Sequence, residues 1–397
     1  MKSAIILGVI SIGLVHADSL SAQVPFMQAV EQIVSASPKV QSVTMSATSE
    51  RLQARMSNML PDPELEGGYQ WGRKDVGNKW EVAVTQSFDW PGVYRARAKS
   101  VGYQSEALAS LVKATENDVR AEAAATLIDY VWAVKRVHVA ENILRQMQTL
   151  EESYQIAFQH GETTILEVNK TKLTRIEASR NHTGALSYLN AVRESARAMA
   201  PTINIDSLLA CITEFPAQQL FTLQQYRDAV ADRDPALRSL SLAADASASD
   251  VTVARRSLMP GFRIGYNHIC ELGDHFNGVS FGFNLPVFSS RKKVAAATAS
   301  AQAAGMEYSI AKAETMARVY SQVAQAEALA GEIDSYGSVA TDQRPVQLLR
   351  KALDGGEINL LTYLQEIAYF NDAAMNYLDL QKEYHTVLAG LNRYMMP

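Results

Sequence analysis

Cysteine is nearly absent from this sequence. Cys211 and Cys270 are the only two among 397 residues, too few for a disulfide framework, and they can pair only if the fold brings them together. Histidine is scarce and scattered, and the chain has no phosphate-cradling glycine loop, GxSxG elbow, HExxH helix or CxxC pair. No catalytic constellation can be assembled from what remains, so neither an enzymatic reaction nor a cofactor is expected. A basic excess is lacking too. The net charge is -5 and no basic run is interleaved with aromatics, so nucleic acid is not an expected partner. Beyond Val15 there is no run of eighteen apolar residues. A membrane, if entered at all, is entered with strands.

The N-terminus has a recognisable shape. Lys2 precedes an apolar stretch from Ala4 to Val15, too short to span a bilayer, and small residues follow. This reads as a secretory signal peptide over residues 1–17, cleaved after Val15-His16-Ala17 or as late as residue 22. No cysteine lies nearby, so no lipid anchor is expected on the mature chain.

Proline and glycine punctuate the remainder. A short amphipathic helix is expected from Pro25 to Val34, and a second starts at Ser37-Pro38, with serine as N-cap and proline at the first helical position. Leu60-Pro61-Asp62-Pro63 ends it. Glu64 to Trp71 and Lys79 to Phe88 alternate as strands of a hairpin over 64–88, with a polar loop at Arg73 to Asn78. Trp90-Pro91-Gly92 stops the second strand, because proline cannot donate to the ladder. The next proline is Pro201. One helix of roughly 65 residues, on the order of 100 Å long, is expected to reach His160. Gly161-Glu162-Thr163-Thr164 breaks it, and Ile165 to Met199 returns as its partner.

The scheme then repeats. Residues 24–200 form the first repeat, 201–233 a connector with one short helix at Leu223 to Ala231, and 234–397 the second repeat. Asp234-Pro235, Pro260, Phe288 and Gly356-Glu357 answer Ser37-Pro38, Pro61, Trp90 and Gly161-Glu162, each roughly 200 residues on. The second hairpin spans 262–285, and the second tip lies near Gly356. Pro345 falls inside the second long helix and should kink or interrupt it.

Each strand has an apolar and a polar or glycine-rich face, as in a barrel with lipid outside and water inside; a half-buried soluble sheet would alternate in the same way. Four strands cannot close a barrel alone, and lipid does not tolerate open edges. Several copies would therefore share one barrel, continued by the long helices as a tube. The cluster Ala295, Ala296, Ala297, Ala299, Ala301, Ala303 and Ala304 suits close helix packing where strands give way to helices. The fold class is mainly α with a small β part. The rival reading is a secreted or periplasmic coiled-coil scaffold that conducts nothing.

These features together resemble the outer-membrane efflux protein family, the TolC-like exit ducts of tripartite exporters. The resemblance is carried by the signal peptide, the duplication, the two joins Gln86-Ser87-Phe88-Asp89-Trp90-Pro91-Gly92 and Asn284-Leu285-Pro286-Val287-Phe288, and the two tips at Gly161 to Leu166 and Gly356 to Leu361. It implies a homotrimer in the outer membrane of a Gram-negative bacterium, with a twelve-strand barrel continued by a periplasmic helical tunnel. Its implied partners are outer-membrane lipid, a periplasmic adaptor and an inner-membrane pump of the resistance-nodulation-division type. The Trp-Pro-Gly join is similar to that of heavy-metal exporters.

The same resemblance implies gating at the periplasmic tip. The family's acidic positions fall here on Thr362 and Gln365, a departure from the pattern, with Glu366 adjacent and Glu162 and Glu167 at the first tip. Gly161, Thr163, Thr164, Gly356 and Glu357 are the expected adaptor-docking points. Trp71, Trp80, Phe88, Trp90, Tyr266 and Phe288 are expected in the aromatic girdles of a barrel. His268 to His275 crowds two imidazoles, a thiol and two carboxylates into one short stretch. It is expected to be an ordinary hairpin loop, with His268, Cys270 and His275 as metal ligands in the alternative reading.

Overall fold

The computed structural model describes residues 26–73, 77–286, 290–340, 342 and 344–395. The signal peptide and Phe288 lie outside them. The elements run α1 (26–36), α2 (Pro38–Met56), β1 (Glu64–Gln70), β2 (Lys79–Phe88), α3 (Pro91–Gln159), α4 (Ile165–Met199), α5 (Ile205–Leu209), α6 (Leu223–Arg233), α7 (Pro235–Arg256), β3 (Gly261–Glu271), β4 (Asp274–Asn284), α8 (Ser290–Ala340), α9 (Arg344–Asp354) and α10 (Leu360–Asn392). The expected long helix is a single element of 69 residues. Its counterpart is interrupted as Pro345 requires: α8 ends at Ala340 and α9 opens at Arg344, because proline suits the first turn of a helix but not its interior. The connector holds one helix more than expected, the short α5.

The chain forms two compact units, and each draws on both repeats. Of the described residues, one comprises those up to Gln41, Glu116–Asp232 and those from Met316; the other comprises those within Ser42–Thr115 and Arg233–Thr315.

In the first unit α1 lays Phe26, Val30 and Ile33 against Val119, Ala123, Leu127 and Ile128 of α3, with Val192 and Ala196 of α4 and Ile205 and Leu209 of α5 closing the core. The Arg120 guanidinium donates to both carboxylate oxygens of Glu31. That hydrogen bond raises the guanidinium pKa against the opposing effect of burial, and it ties α1 to α3. Farther along, the Lys382 ammonium pairs with Asp129 at 2.5 Å and lies 4.2 Å from the centroid of the Trp132 ring, a cation–π contact. Tyr188 donates to the other Asp129 oxygen at 2.8 Å. Tyr226, fully buried, donates to Asn392 Oδ1 at 2.8 Å, and thereby fastens α6 to the end of α10.

In the second unit the two hairpins form one antiparallel sheet in the order β1-β2-β3-β4. The junction between repeats is the β2–β3 ladder, in register from Lys79↔Glu271 to Phe88↔Phe262, and the Phe88 and Phe262 rings stack 5.2 Å apart. Small residues bring α3 and α7 close: Ser239 donates to the Ala107 carbonyl at 2.8 Å and Ser100 to that of Ala246 at 3.4 Å. The strand-to-helix join is pinned by the Arg97–Asp89 ion pair at 2.8 Å, by the Asp89 N–H donating to the Tyr94 hydroxyl, and by Arg256 donating to the Gly92 carbonyl.

Candidate functional site

Both helical tips are built by the same local chemistry. Gly161 has φ +76° and Gly356 φ +72°, left-handed conformations that disfavour a side chain. At the first tip Glu162 N–H returns to Ala157 C=O at 2.9 Å and Gly161 N–H to Phe158 C=O at 3.0 Å; at the second Glu357 returns to Ala352 at 2.9 Å and Gly356 to Leu353 at 3.0 Å. Each is a Schellman closure. Each is followed by a capped helix start. Thr164 and Glu167 form a capping box on α4, and Asn359 caps α10 by accepting from Thr362 N–H at 2.9 Å.

These caps engage two of the five expected gating residues. The Glu167 carboxylate accepts from the Thr163 hydroxyl and from the Thr164 N–H and hydroxyl. These hydrogen bonds, led by the Thr163 hydroxyl, hold its pKa below the usual carboxylate range. The Thr362 hydroxyl is bonded to Asn359. Glu162, Gln365 and Glu366 are exposed, as are Gly161, Thr164, Gly356 and Glu357, whereas Thr163 is half-buried. Ile165, Leu166 and Leu361 expose apolar side chains beside them.

Behind the tips is a group that sequence reasoning missed. Tyr363 is buried at 2% exposure, and Arg350 hydrogen-bonds it while pairing with Asp354 at 3.1 Å. Burial raises the phenol pKa of Tyr363, and burial followed by the nearby Glu167 charge raises that of Tyr154. Met147 and Leu150 of α3 pack with Leu360, Tyr363 and Ile367 of α10 in the same cluster. The only sequence signal was the i,i+4 pair Arg350 and Asp354 next to the Gly356 turn.

The sheet is the second candidate site. Register places Leu65, Tyr69, Trp80, Val82, Val84, Phe88, Phe262, Ile264, Tyr266, Val279, Phe281 and Phe283 on one face. Much of this face is bare: Leu65, Val279, Phe281 and Phe283 are each at least 70% exposed. The opposite face carries Glu81, Thr85, Ser87, Arg263, Asn267, Ser280 and Asn284, with Gly265 needed where a Cβ would come within 2.6 Å of Ser280 Oγ and 2.8 Å of Thr85 Cγ2. Trp71 lies one residue past β1, edge-on to Tyr69, and Trp80 stands opposite Tyr69 in β2. Phe88 and Trp90 mark the join end. Tyr266 stands at the middle of β3, not at a strand end.

His268 to His275 is not a loop, which corrects the expectation. β3 runs to Glu271 and β4 begins at Asp274. The turn is Leu272-Gly273 alone, both with positive φ, as a two-residue type I′ hairpin demands. Among the described residues no three His, Cys, Asp or Glu side chains are gathered to hold a metal ion. Cys211 and Cys270 are both free thiols.

No protein-family model matches the chain, and comparison with characterised proteins finds no match. Solved structures do match. The CmeC outer membrane channel of Campylobacter jejuni aligns over 93% of this chain and 85% of its own, at 14% identity and TM-score 0.78. The MtrE outer membrane channel of Neisseria gonorrhoeae, in its open state, aligns over 93% and 88% at 15% identity and TM-score 0.76. CusC, described in connection with transmembrane channel formation, aligns over 93% and 91% at 15% identity and TM-score 0.77. Over 93% of its length the chain therefore has the fold of these outer-membrane channels.

Proposed function

We propose that three copies of this chain form an outer-membrane exit duct, a passive pore coupled through a periplasmic adaptor to an inner-membrane pump of the resistance-nodulation-division type. The observation that carries this reading is the sheet. It exposes a continuous apolar face, and its outer strands β1 and β4 have no strand partner among the described residues. A bare apolar face of this kind suits contact with lipid or protein. Open ladder edges are unstable in lipid, and pairing β4 of one copy with β1 of the next removes them all at once. Leu173 and Ile176 of α4 and Met306 and Ile310 of α8 are exposed as well and supply helical contact between copies. The polar, glycine-rich face then lines water.

Within this reading the tips meet the adaptor through Gly161, Thr163, Thr164, Gly356 and Glu357, with Ile165, Leu166 and Leu361 as apolar anchors. Glu162, Gln365 and Glu366 face the periplasmic mouth, and Glu167 and Thr362 shape it as caps. Trp71, Trp80, Phe88 and Trp90 form the girdles. Single-channel recording in planar bilayers tests the duct: purified protein should give a stable, water-filled conductance without any energy source. A trimer that inserts in lipid and conducts no ions would overturn it.

A further inference from the structure

The four strands put all their carboxylate, ammonium and guanidinium groups on the polar face of the sheet. Among the described residues only Lys79 and Glu271 of this set meet as a pair, opposed near the turn end at 3.8 Å. The others are separated by sign. Arg263 lies in β3, next to the outer strand β4, whereas Glu64 and Glu66 lie in the outer strand β1 and Glu81 in β2 beside it. All four are exposed, and their side chains make no ion pair or hydrogen bond among the described residues.

Glycines let these side chains turn outward. Arg263 stands opposite Gly282 and Glu81 opposite Gly68. A Cβ at Gly282 would come within 3.6 Å of Arg263 Nε and 3.7 Å of its Nη2, and one at Gly68 within 3.0 Å of Glu81 Oε1. The guanidinium therefore lies over β4 and the carboxylate over β1, each crossing an outer strand where no side chain is in the way. One edge of the sheet is positive and the other negative. They do not meet within one copy: Arg263 is level with Ser87, and Glu81 lies farther along β2, about 20 Å away at about 3.4 Å per residue. Two β4 edges brought together would set guanidinium against guanidinium, and two β1 edges carboxylate against carboxylate. Only unlike edges are complementary, which makes the junction head-to-tail, the arrangement that closes rings.

We infer that the β1 edge of a second copy docks on the β4 edge of the first, with Arg263 of one copy pairing across the junction with the acidic edge that Glu64, Glu66 and Glu81 form on the next. This rests on the duct reading and names the side chains that select the neighbouring edge. The test treats the full chain, extracted in detergent, with a carbodiimide, which joins a carboxylate to a lysine amine with loss of water. Arg263→Lys should give covalent dimers and trimers whose cross-linked peptides contain position 263 and Glu64, Glu66 or Glu81; the wild type should lack that peptide. Charge reversal is the second arm. Arg263→Glu should shorten the half-life of the trimer in detergent by about tenfold, because three weak exposed pairs are lost together, and adding Glu66→Arg/Glu81→Arg should restore it. A wild type that forms no trimer would refute the duct reading itself. A stable wild-type trimer without that cross-linked peptide in Arg263→Lys, or with an unchanged half-life in Arg263→Glu, would overturn the inference and leave the duct standing.

Discussion

Replacing Gly161 by alanine isolates the backbone cost of the tip. A Cβ built there meets nothing within 4 Å, and the same holds at Gly356 and at Gly184 inside α4. No clash therefore enters any of the three, and only backbone preference differs. At φ +76° an L side chain costs about 1–2 kcal/mol, offset in part because alanine narrows the unfolded chain. The net penalty is about 1 kcal/mol for Gly161→Ala and, by the matching geometry, for Gly356→Ala. Gly184→Ala should instead stabilise α4 by about 0.5–1 kcal/mol. Hydrogen exchange read by mass spectrometry over each segment reports local opening. The tip amides should exchange about fivefold faster in each tip variant, while those around residue 184 slow by about two- to fivefold. If Gly161→Ala and Gly184→Ala shifted protection in the same direction, the left-handed closure at the tip would be wrong.

Three further outcomes follow from the structure. Because hydrogen bonds lower the Glu167 carboxyl pKa, its contribution to the α4 cap is complete above the ordinary value of 4.5 and is lost as pH falls through the lowered folded value; Glu167→Gln should remove this acid sensitivity of tip exchange, and Thr164→Ala should cost about 1 kcal/mol. His385, stacked 4.9 Å from Phe215, is pushed by burial from 6.5 down to about 4, so the fold prefers it neutral. Stability from this group is then full above 6.5 and falls by up to about 3 kcal/mol as pH drops towards 4, and thermal unfolding of His385→Phe should be flat over that window. Gly265→Val would drive its side chain into Ser280, Thr85 and the Val84 carbonyl, lowering the urea midpoint of the detergent-extracted protein by the equivalent of about 1–3 kcal/mol, with partial recovery when Ser280→Gly is added.

The helical frame was legible because its boundaries are written in local chemistry. Pro91 opens α3, Gly161 closes it, and Pro345 divides the second long helix; each acts through its own φ or missing N–H. Alternation likewise gave the faces of β1, β2 and most of β3. It broke down at His268 to Glu271, where Ile269 falls on the polar face and His268 and Cys270 on the apolar one, so a continuing strand looked like a loop. Cross-strand pairing through a tight Leu272-Gly273 turn decided the matter, and periodicity carries no trace of that. At the tip, Thr164 and Glu167 stood at capping-box spacing, yet resemblance drew Glu167 towards gating. The group of Tyr154, Arg350 and Tyr363 was hidden for a different reason. Its members come from α3, α9 and α10, far apart in the chain, and a single sequence does not say which helices meet.

The measurement closest to the central claim is the mass and location of the protein extracted from membranes, with size in detergent corrected for bound detergent. Three copies of a 43.5 kDa chain, less any cleaved signal peptide, in the outer-membrane fraction is the predicted result. A soluble or monomeric protein would mean that the open edges of β1 and β4 close no barrel, and the duct would be refuted.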